Sequence, residues 1–136
     1  MIALTYEPID VPALKAALLR PEDGAIVVFE GVVRNHSRGR RVVSLEYQAY
    51  DAMALRKLQE LALLARERYA LRDIGIVQRL GRLSPGESSV AIAAFAEHRS
   101  EAFEACRFAI DTLKNVVPVW KKEFYDNGEV WIEGGD

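Results

Sequence analysis

The sequence predicts an α+β fold. Two long stretches carry apolar residues at helical spacing, and several short β-branched runs are bounded by turn residues. Helices and strands alternate irregularly, with a hairpin signal near the carboxyl end, rather than in the steady rhythm of a doubly wound sheet. At 136 residues the chain is expected to form one domain over 1–136. A domain of that size can bury about two-thirds of the surface its unfolded chain exposes, enough for a core without staples.

Asp10 suits the N-cap of a short helix reaching Arg20, with Pro12 tolerated in the first turn and Pro21 closing it. GAIVVFEGVVR, residues 24–34, reads as a buried strand because it is β-branched and aromatic. After the loop NHSRGRR, residues 42–50 alternate, with Val43, Leu45, Tyr47 and Ala49 on one face of a strand. Asp51 opens a helix to about Tyr69, its apolar side formed by Leu55, Leu58, Leu61, Ala62, Ala65 and Tyr69. Residues 74–82 read as one strand, Ser84–Glu87 as a turn around Pro85 and Gly86, and Ser89–Ala96 as another strand. Ser100 is placed to cap a second long helix whose buried stripe is Phe103, Cys106, Ile110 and Leu113. That helix must stop before Pro118, because the residue preceding proline is pushed out of the α region. VWKKEFY and EVWIE then flank Asp126-Asn127-Gly128, a hairpin signal.

Composition narrows the function. Eighteen basic against twenty acidic residues argue against a general nucleic-acid coat. The lone Cys106 excludes an internal disulfide and a multi-cysteine metal site, and its place on an apolar stripe marks it as structural. MIALTYEPID has neither a basic start nor an apolar run, so no signal peptide is expected, and no apolar stretch reaches the ~20 residues of a membrane helix. A cytoplasmic protein is the expectation. No phosphate-binding loop, dinucleotide fingerprint, nucleophile elbow or metal-ligand spacing is present, so neither a cofactor nor a metal is expected.

Three stretches hold dense cationic groups. Arg34 to Arg41 carries four arginines in eight residues and no acid, suited to a phosphate or simply to a solvated hairpin. Glu97-His98-Arg99-Ser100 sits where a strand meets a helix amino end, a place for an anion or for an ordinary cap. Lys114 closes a helix and Lys121 opens a strand, with Pro118 turning the chain between them. A lysine at a helix carboxyl end is favoured by the dipole alone, but among Val116, Val119 and Trp120 its pKa can fall far enough for proton transfer. The chain thus offers anion binders and amines but no nucleophile or redox group, so the reactive atom is expected from elsewhere. A non-catalytic phosphate- or RNA-binding module using the arginine loop, and a lysine Schiff-base enzyme, stay open beside that reading.

The motifs VRNH, GxLxPGE, HRxxAFEA and LKxxxPxWKKE, in that order from Gly24 to Glu133, closely resemble the catalytic (large) subunit family of molybdopterin synthase. The resemblance implies an α/β hammerhead-like fold with additional antiparallel β-structure. It implies a sulfurtransferase that converts cyclic pyranopterin monophosphate to molybdopterin, the sulfur coming from a ubiquitin-like small subunit with a carboxyl-terminal Gly-Gly thiocarboxylate. It also implies a central homodimer of large subunits within a heterotetramer, and no nucleic-acid or membrane partner. By motif, Lys114 and Lys121 fall on the catalytic lysines, Arg34, His98 and Arg99 on anion-binding positions, and Phe29 near the substrate. Relatives commonly continue past the WIE strand, where this sequence reads Gly134-Gly135-Asp136. That ending, in Asp, is not the sulfur-carrying tail.

Overall fold

The structure, a computed structural model, describes residues 1–133. The chain runs β1 (Ile2–Thr5), α1 (Val11–Leu18), β2 (Ala25–Val32), β3 (His36–Ser37), β4 (Arg40–Ala49), α2 (Asp51–Tyr69), β5 (Asp73–Arg79), β6 (Gly81–Leu83), β7 (Ser88–Ala96), α3 (Arg99–Val116), β8 (Val119–Tyr125) and β9 (Gly128–Glu133). The first sheet, in the order β1-β5-β7-β2, is mixed: β1 is parallel to β5, and the other pairs are antiparallel. Its middle strand explains the layers. Along β7, Val90, Ile92, Ala94 and Ala96 face the main core under α2 and α3, while Ala91, Ala93 and Phe95 face α1 on the other side. Both faces are covered, so the run is apolar without alternation. The α+β class is as the sequence predicts.

The second sheet, β3-β4-β8-β9 with β6 also on β4, closes a smaller core of Val33, Val42, Leu45, Leu83 and Tyr125. One glycine joins the two sheets. Residues 74–82 do not form one strand: Gly81 adopts φ +87°, which turns the chain out of the first sheet, and β6 pairs with β4 instead. β1 has no counterpart in the sequence expectation, because it is held by pairing with residues more than seventy positions away.

Three local expectations are corrected. Val43 is not on the inner face of β4; a register irregularity between Val42 and Ser44 turns Val42 inward and leaves Val43 exposed. Ser100 does not cap α3; His98 holds the cap position in extended backbone without a side-chain bond, and Ser100 lies inside the first turn. Phe103 is 61% exposed, because the stripe that meets the sheet is Ala102, Ala105, Cys106, Ala109, Ile110 and Leu113, and Phe103 sits about a quarter turn away. Asp10 caps α1 as expected, accepting from the Ala13 N–H at 3.0 Å. The helix ends at Leu18, short of Arg20. α3 stops at Val116, before Pro118. The β8–β9 hairpin turns through Asp126 and Asn127, with Tyr125 opposite Gly128. No helix among the described residues is long and apolar enough to cross a membrane. Gly134, Gly135 and Asp136 lie outside the described residues.

Candidate active site

Two chain reversals put the lysines together. α3 carries Lys114 in its last turn, one residue after the buried Leu113. Pro118 then ends the helix and β8 returns along β4 with alternate residues inward, so Lys121, Glu123 and Tyr125 face the interior. Lys121 is 5% exposed and Glu123 is 2% exposed. Val117 and Val119 supply the apolar wall between the lysines. The expected neighbours Val116 and Trp120 do not: Val116 is exposed, and neither lines the cavity.

These side chains border a cavity of about 440 Å³ between the two sheets and the end of α3. Phe29 and Val33 enter from β2 and the residue after it, Arg34 follows, and His36 comes from β3. Tyr47 and Leu45 of β4 lie opposite Lys121 and Glu123 in the ladder. Gln78 of β5 lines the cavity from the first sheet, donating from Nε2 to the carbonyls of Arg79 on its own strand and Ser89 on β7, each at 3.0 Å.

The electrostatics are those of crowded cations against a buried wall. Burial, and then the neighbouring Arg34, lower the Lys114 pKa below the usual ammonium value, while Asp111 opposes this. Burial also lowers the Lys121 pKa; Glu123 pushes it up, and Arg34, Lys114 and Arg38 push it down. An amine with a lowered pKa gives up its proton more readily than an ordinary lysine, and the same cations attract an anion into the cavity. Burial raises the Tyr47 pKa, opposed by a hydrogen bond from Ser89 and assisted by the Glu123 charge.

Of the residues singled out in the sequence, Phe29, Arg34, Lys114 and Lys121 meet at this cavity. His98 and Arg99 do not line it. They sit at the other end of α3, fifteen residues before Lys114 in the case of Arg99, or about 22 Å along the axis. His98 is exposed and lies 3.7 Å from the exposed Glu97. The sequence also gave no notice of Ser37, Tyr47 or Gln78. Glu123 was within reach, since it stands two positions from Lys121 on a strand and therefore shares its face. Ser37 leaves no local signal, because its contact is 86 positions away. Among the described residues no group of three or more His, Cys, Asp or Glu side chains is arranged to hold a metal ion.

Comparison with known proteins agrees with this architecture. A family model described as MoaE protein matches residues 4–116. A molybdopterin synthase catalytic subunit of Oryza sativa subsp. indica is 53% identical over 110 residues, covering 81% of this chain and 57% of the rice protein. The chain therefore spans little more than half the length of that relative. A molybdopterin synthase catalytic subunit of Nostoc sp. is 45% identical over 135 residues, covering 98% of this chain and 82% of its own. The crystal structure of molybdopterin synthase from Staphylococcus aureus superposes with a TM-score of 0.91 at 35% identity, covering 95% of this chain and 94% of that one. The family model stops before Lys121, but the Nostoc match spans nearly the whole chain.

Proposed function

The chain belongs to the MoaE protein family, and on that premise we propose that it is the catalytic subunit of a cytoplasmic molybdopterin synthase. The single observation that carries the proposal is the convergence of Lys114 and Lys121, both with lowered pKa values, with Arg34 on one cavity. The lone cysteine is buried and its pKa is raised to about 11, which suits a protein that takes its sulfur from a partner.

In this reading a ubiquitin-like small subunit inserts its Gly-Gly tail, and the cations offset the charge of its terminal thiocarboxylate. The thiocarboxylate sulfur attacks a carbon of cyclic pyranopterin monophosphate, forming a carbon–sulfur bond as a carbon–oxygen bond at that carbon breaks, and leaving an acyl-sulfur adduct. Water then adds at the acyl carbon, leaving the sulfur on the pterin and a carboxylate on the spent tail. Lys114 moves the proton and stabilises charge on the departing substrate oxygen, and Lys121 orients the tail. Two sulfurs are needed, so a spent small subunit leaves and a second docks. Arg34 binds anionic substrate groups, and Phe29 offers its ring to the pterin.

His98 and Arg99 join this scheme through a second copy. They are too far along α3 to reach their own cavity, so in the homodimer at the centre of a heterotetramer they serve the neighbour's substrate phosphate. An RNA-binding role for the arginine loop is less well supported, because Arg40 is engaged with Asn127 and lies over the Tyr125 ring. The test is reconstitution. The chain, a thiocarboxylated small subunit and the cyclic pterin should together give the dithiolene product, and the chain with free sulfide at modest concentration should not. Equal product from sulfide alone would count against the proposal.

A further inference from the structure

Two carboxylates line the cavity, Glu30 and Glu123, and the buried one, Glu123, has no role in the scheme above. Glu123 is 2% exposed, and a charge so deeply buried is costly unless it is held by hydrogen bonds and a counter-charge. It has both. Its Oε1 accepts from the Ser37 hydroxyl at 3.1 Å and from the Tyr125 hydroxyl. Ser37 is 8% exposed and Tyr125 is 6% exposed, so neither donor is a loose surface group. Lys121 stands two residues away on the same face of β8, a backbone spacing of about 7 Å.

The two donors come from different parts of the site. Ser37 belongs to the tight hairpin whose turn residues Arg38 and Gly39 have φ values of 55° and 72°, the pair of positive angles that a two-residue hairpin turn requires. His36 of that hairpin lines the cavity, and the charge of Arg38 reaches Lys121. Tyr125 lies beneath the Arg40 guanidinium, 3.9 Å from its ring centre, and Arg40 is bonded to Asn127 at 2.5 Å. The carboxylate thus ties the arginine hairpin and the β8–β9 turn to the strand that carries the lysine.

We propose that Ser37, Glu123 and Tyr125 form a positioning unit for Lys121. The two hydroxyls pin the buried carboxylate where its charge holds the ammonium group aimed into the cavity, without letting the two close into a direct ion pair. The proposal rests on the synthase reading for its consequence, but its geometry is independent of that reading. The groups that face Lys121 are Glu123 on its own strand, Lys114 from α3, Arg34 after β2 and Arg38 from the hairpin turn. Tyr47 is its partner in the β4 ladder. Glu123 is the acid in that set, so changes to its charge and to its position should have opposite effects on the lysine.

The experiment is an NMR titration of isotope-labelled lysine side chains in the full-length chain, with the Lys121 signal assigned from Lys121→Arg. Glu123→Gln removes the charge, and the Lys121 midpoint should fall by about one unit. Glu123→Asp should restore most of it. Ser37→Ala combined with Tyr125→Phe keeps the charge but frees the carboxylate to approach the amine, so the midpoint should rise. The pH–rate profile of sulfur transfer should move in the same sense in each variant. If Glu123→Gln does not fold, the double variant decides, because it leaves the carboxylate in place. An unmoved Lys121 midpoint in the folded variants would overturn the unit and leave the three residues as plain scaffold. An inactive wild type with the predicted midpoint shifts would instead refute the synthase reading alone.

Discussion

Arg99 and Lys114 bracket α3, the arginine as its first residue and the lysine in its last turn, so one helix presents them at two separate places. If those places are two active sites in a dimer, the variants should complement each other. Arg99→Ala and Lys114→Ala homodimers should each be nearly inactive. After subunit exchange, a mixed dimer concentrates both lesions in one site and leaves the other intact, so about a quarter of the sites should recover at random mixing. Steady-state activity of refolded mixtures checks this. No recovery, with exchange verified by mass spectrometry, would place Arg99 outside the site.

Lys114→Ala should reduce single-turnover sulfur transfer by about 10²–10⁴-fold, the usual cost of losing a proton-transfer group. The residue lies at a helix end with only part of its side chain shielded at the cavity, so the melting temperature and the affinity for the small subunit should stay near wild type. Retention of more than about a tenth of the activity would remove Lys114 from that role.

Arg34 acts on both lysines, and its replacement has a defined sign. Its charge helps to hold both lysine pKa values down, so Arg34→Gln should let them rise toward the ordinary ammonium value. Lys114 stabilises the departing oxygen in its ammonium form, so the alkaline limb of the pH–rate profile should move to higher pH, together with weaker binding of the anionic substrate. Stability should respond as well. A lysine whose folded pKa lies below its unfolded one binds fewer protons when folded, so stability rises with pH between the two values. Arg34→Gln narrows that window and should flatten the rise. Urea titrations across the alkaline range measure it.

The parts of the fold that were legible in the sequence are those set by local chemistry. The Asp10 cap, the stop before Pro118 and the Asp126-Asn127-Gly128 hairpin each depend on a few neighbouring residues. β1, the outward Val43 and the break at Gly81 depend on which strand lies alongside, and local pattern does not carry that information. The candidate site divides in the same way. Lys114, Lys121 and Arg34 stood out as cations at element ends and in a loop, Phe29 came from motif resemblance, and the four do converge. Ser37 and Tyr47 became visible only when the second sheet closed over the first, and His98 and Arg99 are displaced because a helix of this length separates its ends.

A prediction away from the chemistry tests the packing. Gly75 lies on β5 beneath α1, and a Cβ there would meet Leu14 Cδ1 at 2.7 Å and Leu18 Cδ1 at 2.9 Å. Gly75→Ala must displace the Leu14 and Leu18 side-chain ends that pack α1 on the sheet, and a loss of about 1–3 kcal/mol is expected, the usual range for overpacking. Urea denaturation would show a lower midpoint with an unchanged slope, and activity at low temperature should persist because α1 does not touch the cavity. An unchanged midpoint would show that the Leu14 and Leu18 side chains can repack without cost.

Cross-linking of the complex locates the point on this chain where the partner's tail arrives. The small subunit in its carboxylate form, ending in Gly-Gly, is mixed with the chain and treated with a carbodiimide, which joins a carboxyl only to an amine in contact with it. Peptide mass spectrometry then identifies the lysine. An amide is expected between the terminal glycine and Lys114 or Lys121, and it should be lost when the Gly-Gly is deleted. Coupling confined to lysines remote from the cavity, such as Lys15 or Lys57, would contradict it.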